Sequence, residues 1–174
     1  MSSGLRISVA LVGAATLGAC ATLQIPAAPA ELQPPAGEPL VFEALAAGVQ
    51  IYECTMDAAS ASWQWRFKGP EAVLTDRSGR TIGKHYAGPT WESQDGSKVV
   101  GELKAQAKAA DANAIPLLLL KSKANSGKGV FGAVKSIQRL ETAGGRAPSE
   151  ACSSANAAKV ARVQYTATYY FYGN

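Results

Sequence analysis

The stretch Val160-Ala161-Arg162-Val163-Gln164-Tyr165-Thr166-Ala167-Thr168-Tyr169-Tyr170-Phe171-Tyr172 decides the fold class. Val163, Tyr165, Ala167, Tyr169 and Phe171 recur at every second position, with Arg162, Gln164, Thr166 and Thr168 between them. A period of two sends the two sets to opposite faces of an extended strand. At the C-terminal end the aromatic residues occupy both faces, so one pair belongs to a core and the other lines a surface.

The same period runs back along the chain. Between Lys98 and Ala109, Val99, Leu103, Ala105 and Ala107 alternate with Glu102, Lys104, Gln106 and Lys108. Trp63, Trp65 and Phe67 alternate with Gln64, Arg66 and Lys68. They read more simply as a core stripe than as a carbohydrate platform. Leu40 to Ala46 and Val49 to Cys54 flank Ala47-Gly48, which predicts a hairpin. Ile115 to Lys121 holds four consecutive leucines, the pattern of a strand buried on both faces. Val134 to Thr142 adds another strand. Gly69-Pro70, Ser78-Gly79, Gly88-Pro89, Asp95-Gly96, Ser126-Gly127 and Gly144-Gly145 mark turns between these segments. Many short strands at such spacing predict an all-β fold, an antiparallel β-sandwich or barrel-like single domain. No long segment has clear helical periodicity, and Ala105 to Ala112 is the one place where a helix would fit.

The chain has 174 residues, 47% of them hydrophobic and 17% charged, enough for one packed core. It carries 17 Lys+Arg against 13 Asp+Glu, a small and dispersed excess that gives no support for nucleic-acid binding. A single His and no carboxylate pair at ligand spacing leave metal binding unsupported, and no cofactor is expected. No GxGxxG follows a strand, and Asn125 to Gly129 lacks the GxxxxGK[ST] frame of a phosphate loop. Three cysteines are an odd number, which in an exported protein needs an explanation.

The N-terminus supplies one. Met1 to Arg6 is short and polar with one positive charge, and Ile7 to Ala19 is an uncharged apolar run. A membrane-spanning helix needs about 20 residues, so this run fits the apolar region of a secretory signal instead. It ends in Leu17-Gly18-Ala19-Cys20, which resembles the bacterial lipobox. That resemblance implies a signal peptide over residues 1–19 and a mature chain acylated at Cys20. It also implies anchoring to the membrane through that lipid. Ala21 in place of Asp points, by the same resemblance, to the periplasmic face of the outer membrane. Residues 20–39, with Pro26, Pro29, Pro34, Pro35 and Pro39, read as a lipidated Cys and a Pro/Ala-rich tether. Residues 40–174 form the β domain. Cys54 and Cys152 remain, and an oxidising compartment favours a bridge between them.

Several stretches taken together resemble one family. They are Gly48-Val49-Gln50-Ile51-Tyr52-Glu53-Cys54, Gly83-Lys84-His85-Tyr86-Ala87-Gly88-Pro89-Thr90-Trp91-Glu92, Asp95-Gly96-Ser97, Ile115-Pro116-Leu117-Leu118-Leu119, and Tyr165-Thr166-Ala167-Thr168-Tyr169-Tyr170-Phe171. Their order is similar to that of the domain of unknown function 3455 family, over about residues 34–172. Leu117 departs from the pattern, where Trp is expected. The resemblance implies no particular activity.

The densest chemistry lies in His85, Tyr86, Trp91, Glu92 and Asp95. If Gly88-Pro89 turns the chain, an imidazole, aromatic faces and carboxylates converge as in sites for sugars or small polar ligands. An enzymatic alternative, a hydrolase, makes His85 a base oriented by Glu92 or Asp95. The plainer reading is core packing of Trp91, a strand ion pair at Glu92 and a hairpin turn at Asp95-Gly96. The leading expectation is a non-enzymatic, lipid-anchored envelope protein that binds a small molecule, glycan or envelope partner. A hydrolase-type enzyme and a purely structural envelope protein are the alternatives.

Overall fold

A strand edge exposes unpaired N–H and C=O groups, and a sheet removes its edges only by closing on itself. In a computed structural model, which describes residues 25–174, this chain does so. Its eight strands are β1 (Leu40–Asp57), β2 (Ser62–Thr75), β3 (Thr81–Tyr86), β4 (Thr90–Ser93), β5 (Lys98–Ala107), β6 (Leu117–Ser126), β7 (Val134–Gly144) and β8 (Val160–Gly173). Each pairs antiparallel with the next, and β8 returns to β1 with Gly48 opposite Tyr165. The all-β expectation holds, and of its two forms the closed barrel is the one formed.

Alternation then divides every strand into an inner and an outer set. One end of the interior is filled. Phe42, Phe131 and Phe171 meet edge-on or tilted, with ring centroids 4.7 to 5.8 Å apart, among Leu74, Val99, Val134 and Ile137. The β4–β5 turn and the β6–β7 loop seal that end. The Asp95 carboxylate accepts from the Ser97 N–H at 2.8 Å, the Ser97 hydroxyl at 2.6 Å and the Val130 N–H at 3.0 Å. The Ser97 hydroxyl in turn accepts from the Phe131 N–H at 3.1 Å.

A second apolar cluster lies outside the ring. Leu119, Leu140, Tyr170 and Tyr172 gather there around Leu32, which is fully buried in the short 3-10 turn Ala30–Leu32. The Gln138 amide donates to the Leu32 carbonyl at 2.8 Å, and the Tyr172 hydroxyl donates to the Gln138 carbonyl oxygen at 2.9 Å. Leu119 and Leu120 are thereby buried on opposite faces of β6, as expected, while Leu117 and Leu118 are half-buried. The second aromatic pair of β8 lines no surface, because the N-terminal segment covers it. Within the segment expected to be a spacer, Leu32 is thus seated on the barrel. Apolar area at Leu119 and Leu140 gains more from that contact than from water. The signal-like segment 1–19 and Cys20 lie outside the described residues.

Two other expectations change. Ala47-Gly48 is no hairpin, for β1 runs unbroken through it. A Cβ on Gly48 would lie 2.0 Å from the Glu71 carbonyl oxygen, so this glycine marks close approach of β2 rather than a turn. Gly69-Pro70 lies inside β2, beside a bulge: Ile51 pairs with Gly69 and Tyr52 with Phe67. The Cys54–Cys152 disulfide forms, tying the far end of β1 to the β7–β8 loop. The outer face carries ion pairs such as Lys68–Glu53, Lys121–Glu102 and the Lys84–Glu92–Lys98 set. Among the described residues no helix is long and apolar enough to cross a membrane.

Candidate functional site

The other end of the barrel is open. There the β3–β4 turn, the β5–β6 loop and the upper halves of β1, β2, β5 and β6 surround a cavity of about 700 Å³. Its walls include Tyr52, Phe67, Pro70, Trp91, Leu103, Ile115, Leu118, Leu120 and Tyr169, with Gln50, His85, Gln106 and Arg139 supplying polar groups. Lys68, Glu102 and Lys123 stand at the rim.

The floor is a stack built by strand register. His85 on β3 lies directly opposite Trp91 on β4, so both point inward from adjacent strands. Their rings stack with centroids 4.3 Å apart and planes 11° from parallel. Tyr169 meets both edge-on, at 5.1 Å from His85 and 5.2 Å from Trp91. Gly101 makes the space for this, since a Cβ there would lie 3.0 Å from the Trp91 indole and from Leu120.

His85 is buried, and its Nδ1–H donates to the Thr90 carbonyl at 2.8 Å. Burial pushes its pKa down to about 3, with the Arg139 charge acting in the same direction, so the ring is neutral and Nε2 is left as an acceptor. Tyr165 and Tyr169 have raised pKa values, chiefly because burial disfavours the phenolate. Tyr52 shifts the same way for the same reason, and its hydroxyl donates to the Gly145 carbonyl at 2.7 Å. Four buried polar atoms of these inward residues make no well-aligned hydrogen bond: Gln50 Nε2, Trp91 Nε1, Tyr165 Oη and Tyr169 Oη, with Tyr165 close to Gln50 and Tyr169, and Tyr169 close to Arg139. Buried polar groups are nearly always paired, so such a cluster beside a cavity marks groups available to a bound molecule.

The five residues singled out by sequence do not converge. His85 and Trp91 face the cavity. Tyr86 and Glu92 alternate to the outer face, where the Tyr86 hydroxyl donates to Glu92 at 2.8 Å and Lys84 and Lys98 flank the carboxylate. Those contacts hold the Glu92 carboxyl below its usual range, the Tyr86 hydrogen bond contributing most. Asp95 closes the opposite end, and hydrogen bonds from Ser97 and Val130 hold its carboxyl down at about 2. His85 therefore has neither carboxylate as an orienting partner. Its one hydrogen-bond partner among the described residues is the backbone at Thr90.

The aromatic stripe of β2 also lands elsewhere than expected. Phe67 is half exposed at the cavity mouth, 5.5 Å from Tyr52, while Trp65 donates its indole N–H to the Glu150 carbonyl at 2.8 Å in the β7–β8 loop. The residues that sequence reasoning passed over are Gln50, Arg139 and the two inward tyrosines. The signal for Arg139 was a charge two positions after the apolar Ile137, on the same inner face. For Gln50 it was an amide in the even-numbered series Ala44, Ala46, Gly48, Gln50 and Tyr52.

The fold and site define a closed, eight-stranded antiparallel barrel, packed at one end and open to an aromatic-walled cavity at the other. The chain belongs to the family described as protein of unknown function (DUF3455), whose model spans residues 35–173. No curated protein and no solved structure matches it.

Proposed function

We propose that the barrel is a binding domain for a small, largely apolar molecule held in the open-end cavity. The unpartnered Gln50, Trp91 and Tyr169 atoms beside that space carry the reading. Ligand sites typically measure roughly 300–1,000 Å³, with apolar walls and a few convergent polar groups. A cavity of about 700 Å³ with these walls meets both criteria. Binding without chemistry is favoured because His85 is neutral, backbone-bonded and without a carboxylate. Together with the lipobox-like signal, this gives a lipid-anchored envelope protein, tethered through Cys20 on the periplasmic side of the outer membrane.

The test uses N-phenyl-1-naphthylamine, a neutral apolar fluorophore, titrated into the full chain. Saturable binding should occur at one site. Leu118→Trp, which fills the cavity from β6, should abolish it while leaving the unfolding midpoint within a few degrees. Binding unchanged in that variant places the probe elsewhere and defeats the proposal. For the anchor, Cys20→Ala should release the protein from the membrane fraction; retention with acylation intact would defeat that part.

A further inference from the structure

Resting on the cavity reading above, we infer that the bound molecule is an amphipathic organic anion whose single carboxylate or sulfonate head pairs with Arg139. Arg139 sits on β7 between Leu118 and Tyr169, both inward-facing, and lines the cavity. Its Nε–H and one Nη2–H donate to the Pro116 carbonyl, at 3.1 and 2.8 Å. Those bonds use one edge of the guanidinium. They leave the Nη1–Nη2 edge, the face that grips a planar anion with two parallel hydrogen bonds.

Nothing inside the barrel neutralises this cation. Arg139 makes no ion pair among the described residues. Glu102 is the one carboxylate at the cavity, and it is half exposed at the rim and paired with Lys121 at 3.1 Å. A half-buried cation facing a neutral carbonyl retains most of its capacity to pair. The cavity that Arg139 shares is rich in donors: Trp91 Nε1 and Gln50 Nε2 can only donate, and the Tyr169 hydroxyl can do so. A ligand satisfying these groups must bring acceptors, and one satisfying Arg139 must bring negative charge. The aromatic walls Tyr52, Phe67 and Trp91 fit a flat apolar body behind that head. Lys123 at the mouth adds to the attraction for an entering anion.

The test compares two probes of one scaffold with the full chain: N-phenyl-1-naphthylamine and 1-anilinonaphthalene-8-sulfonate, which adds the sulfonate. The anion should bind at least tenfold more tightly, with a preference that shrinks as salt rises. In Arg139→Gln the preference should vanish while the neutral probe still binds, and Arg139→Lys should restore part of it. A guanidinium that served only to hold Pro116 would leave the preference unmoved. Equal affinity of the two probes in the unaltered chain overturns the anion inference and leaves the cavity reading standing. Failure of both probes to bind overturns the cavity reading as well. A preference that survives in Arg139→Gln removes Arg139 from the role. The comparison in the unaltered chain decides the anion preference even where a variant does not fold.

Discussion

His85 lies flat against Trp91, ring on ring at 4.3 Å, because β3 and β4 pair these two positions directly across the barrel wall. That contact explains how the one histidine of the chain stays uncharged. Its proton sits on Nδ1 toward the Thr90 carbonyl, and the remainder of the ring meets aromatic carbon.

A stability-against-pH prediction follows. In the folded chain His85 titrates at about 3, below its ordinary value of 6.5. Between these values the unfolded chain takes up a proton that the folded chain does not. Stability is therefore full above about pH 6.5 and declines as pH falls toward 3, by at most about 1.4 kcal/mol per unit. Denaturant unfolding at pH 7.0, 5.5 and 4.5 should show the decline, and His85→Asn should flatten it. Asp95 adds a second loss lower down. Its depressed carboxyl contributes stability above its usual 3.8 that disappears as pH falls toward 2.

The disulfide spans 98 residues of sequence and ties β1 to the β7–β8 loop. Chain-entropy reasoning assigns such a closure about 4 kcal/mol. The Cys54→Ser, Cys152→Ser double variant should lose an amount of that order in equilibrium unfolding. Alkylation of the protein without reduction should label neither thiol.

Leu32 is the anchor point of the N-terminal segment. Leu32→Ala should cost about 2–3 kcal/mol, since a buried leucine leaves a void against Leu119, Leu140 and Tyr172. Leu32→Asp should cost more and should speed amide exchange at Gln138 and Leu140. An effect of Leu32→Ala under about 0.5 kcal/mol would mean that the segment is not held there in solution.

Gly48 provides a backbone test. Its missing Cβ is what lets the Glu71 carbonyl approach, at a position where a methyl would stand 2.0 Å from that oxygen. Backbone lies on both sides of the clash and neither strand yields easily. Gly48→Ala should destabilise by roughly 3 kcal/mol, the upper part of the range for overpacking. Circular dichroism melts would register this as a drop of many degrees.

Much of the fold was legible because strands of a closed sheet have inner and outer faces, and alternation writes that difference into the chain. Tyr165, Ala167, Tyr169 and Phe171 point inward as their period required. Of the four leucines of β6, Leu119 and Leu120 are buried on opposite faces and Leu117 and Leu118 are half-buried. Glycine was the weak signal. Gly48 and Gly69 occupy strands, and a glycine reads alike as a turn former and as a place where another backbone comes close.

The candidate site was less legible. His85 and Trp91 were recognised, but grouping them with Tyr86, Glu92 and Asp95 followed nearness along the chain. In a hairpin, adjacent residues point to opposite faces, so His85 and Tyr86 part company at once. Arg139, Gln50 and Tyr165 come from β7, β1 and β8, far from His85 in sequence.

Composition and periodicity were thus sufficient for the all-β class, the inward stripe of β8 and the pairing of Cys54 with Cys152. Each is a local property or a consequence of the cysteine count. Closure into a barrel, the seating of Leu32 and the gathering of His85, Trp91, Tyr169 and Arg139 around one cavity depend on strand order and register. Those are settled by packing between distant segments, which no local pattern encodes.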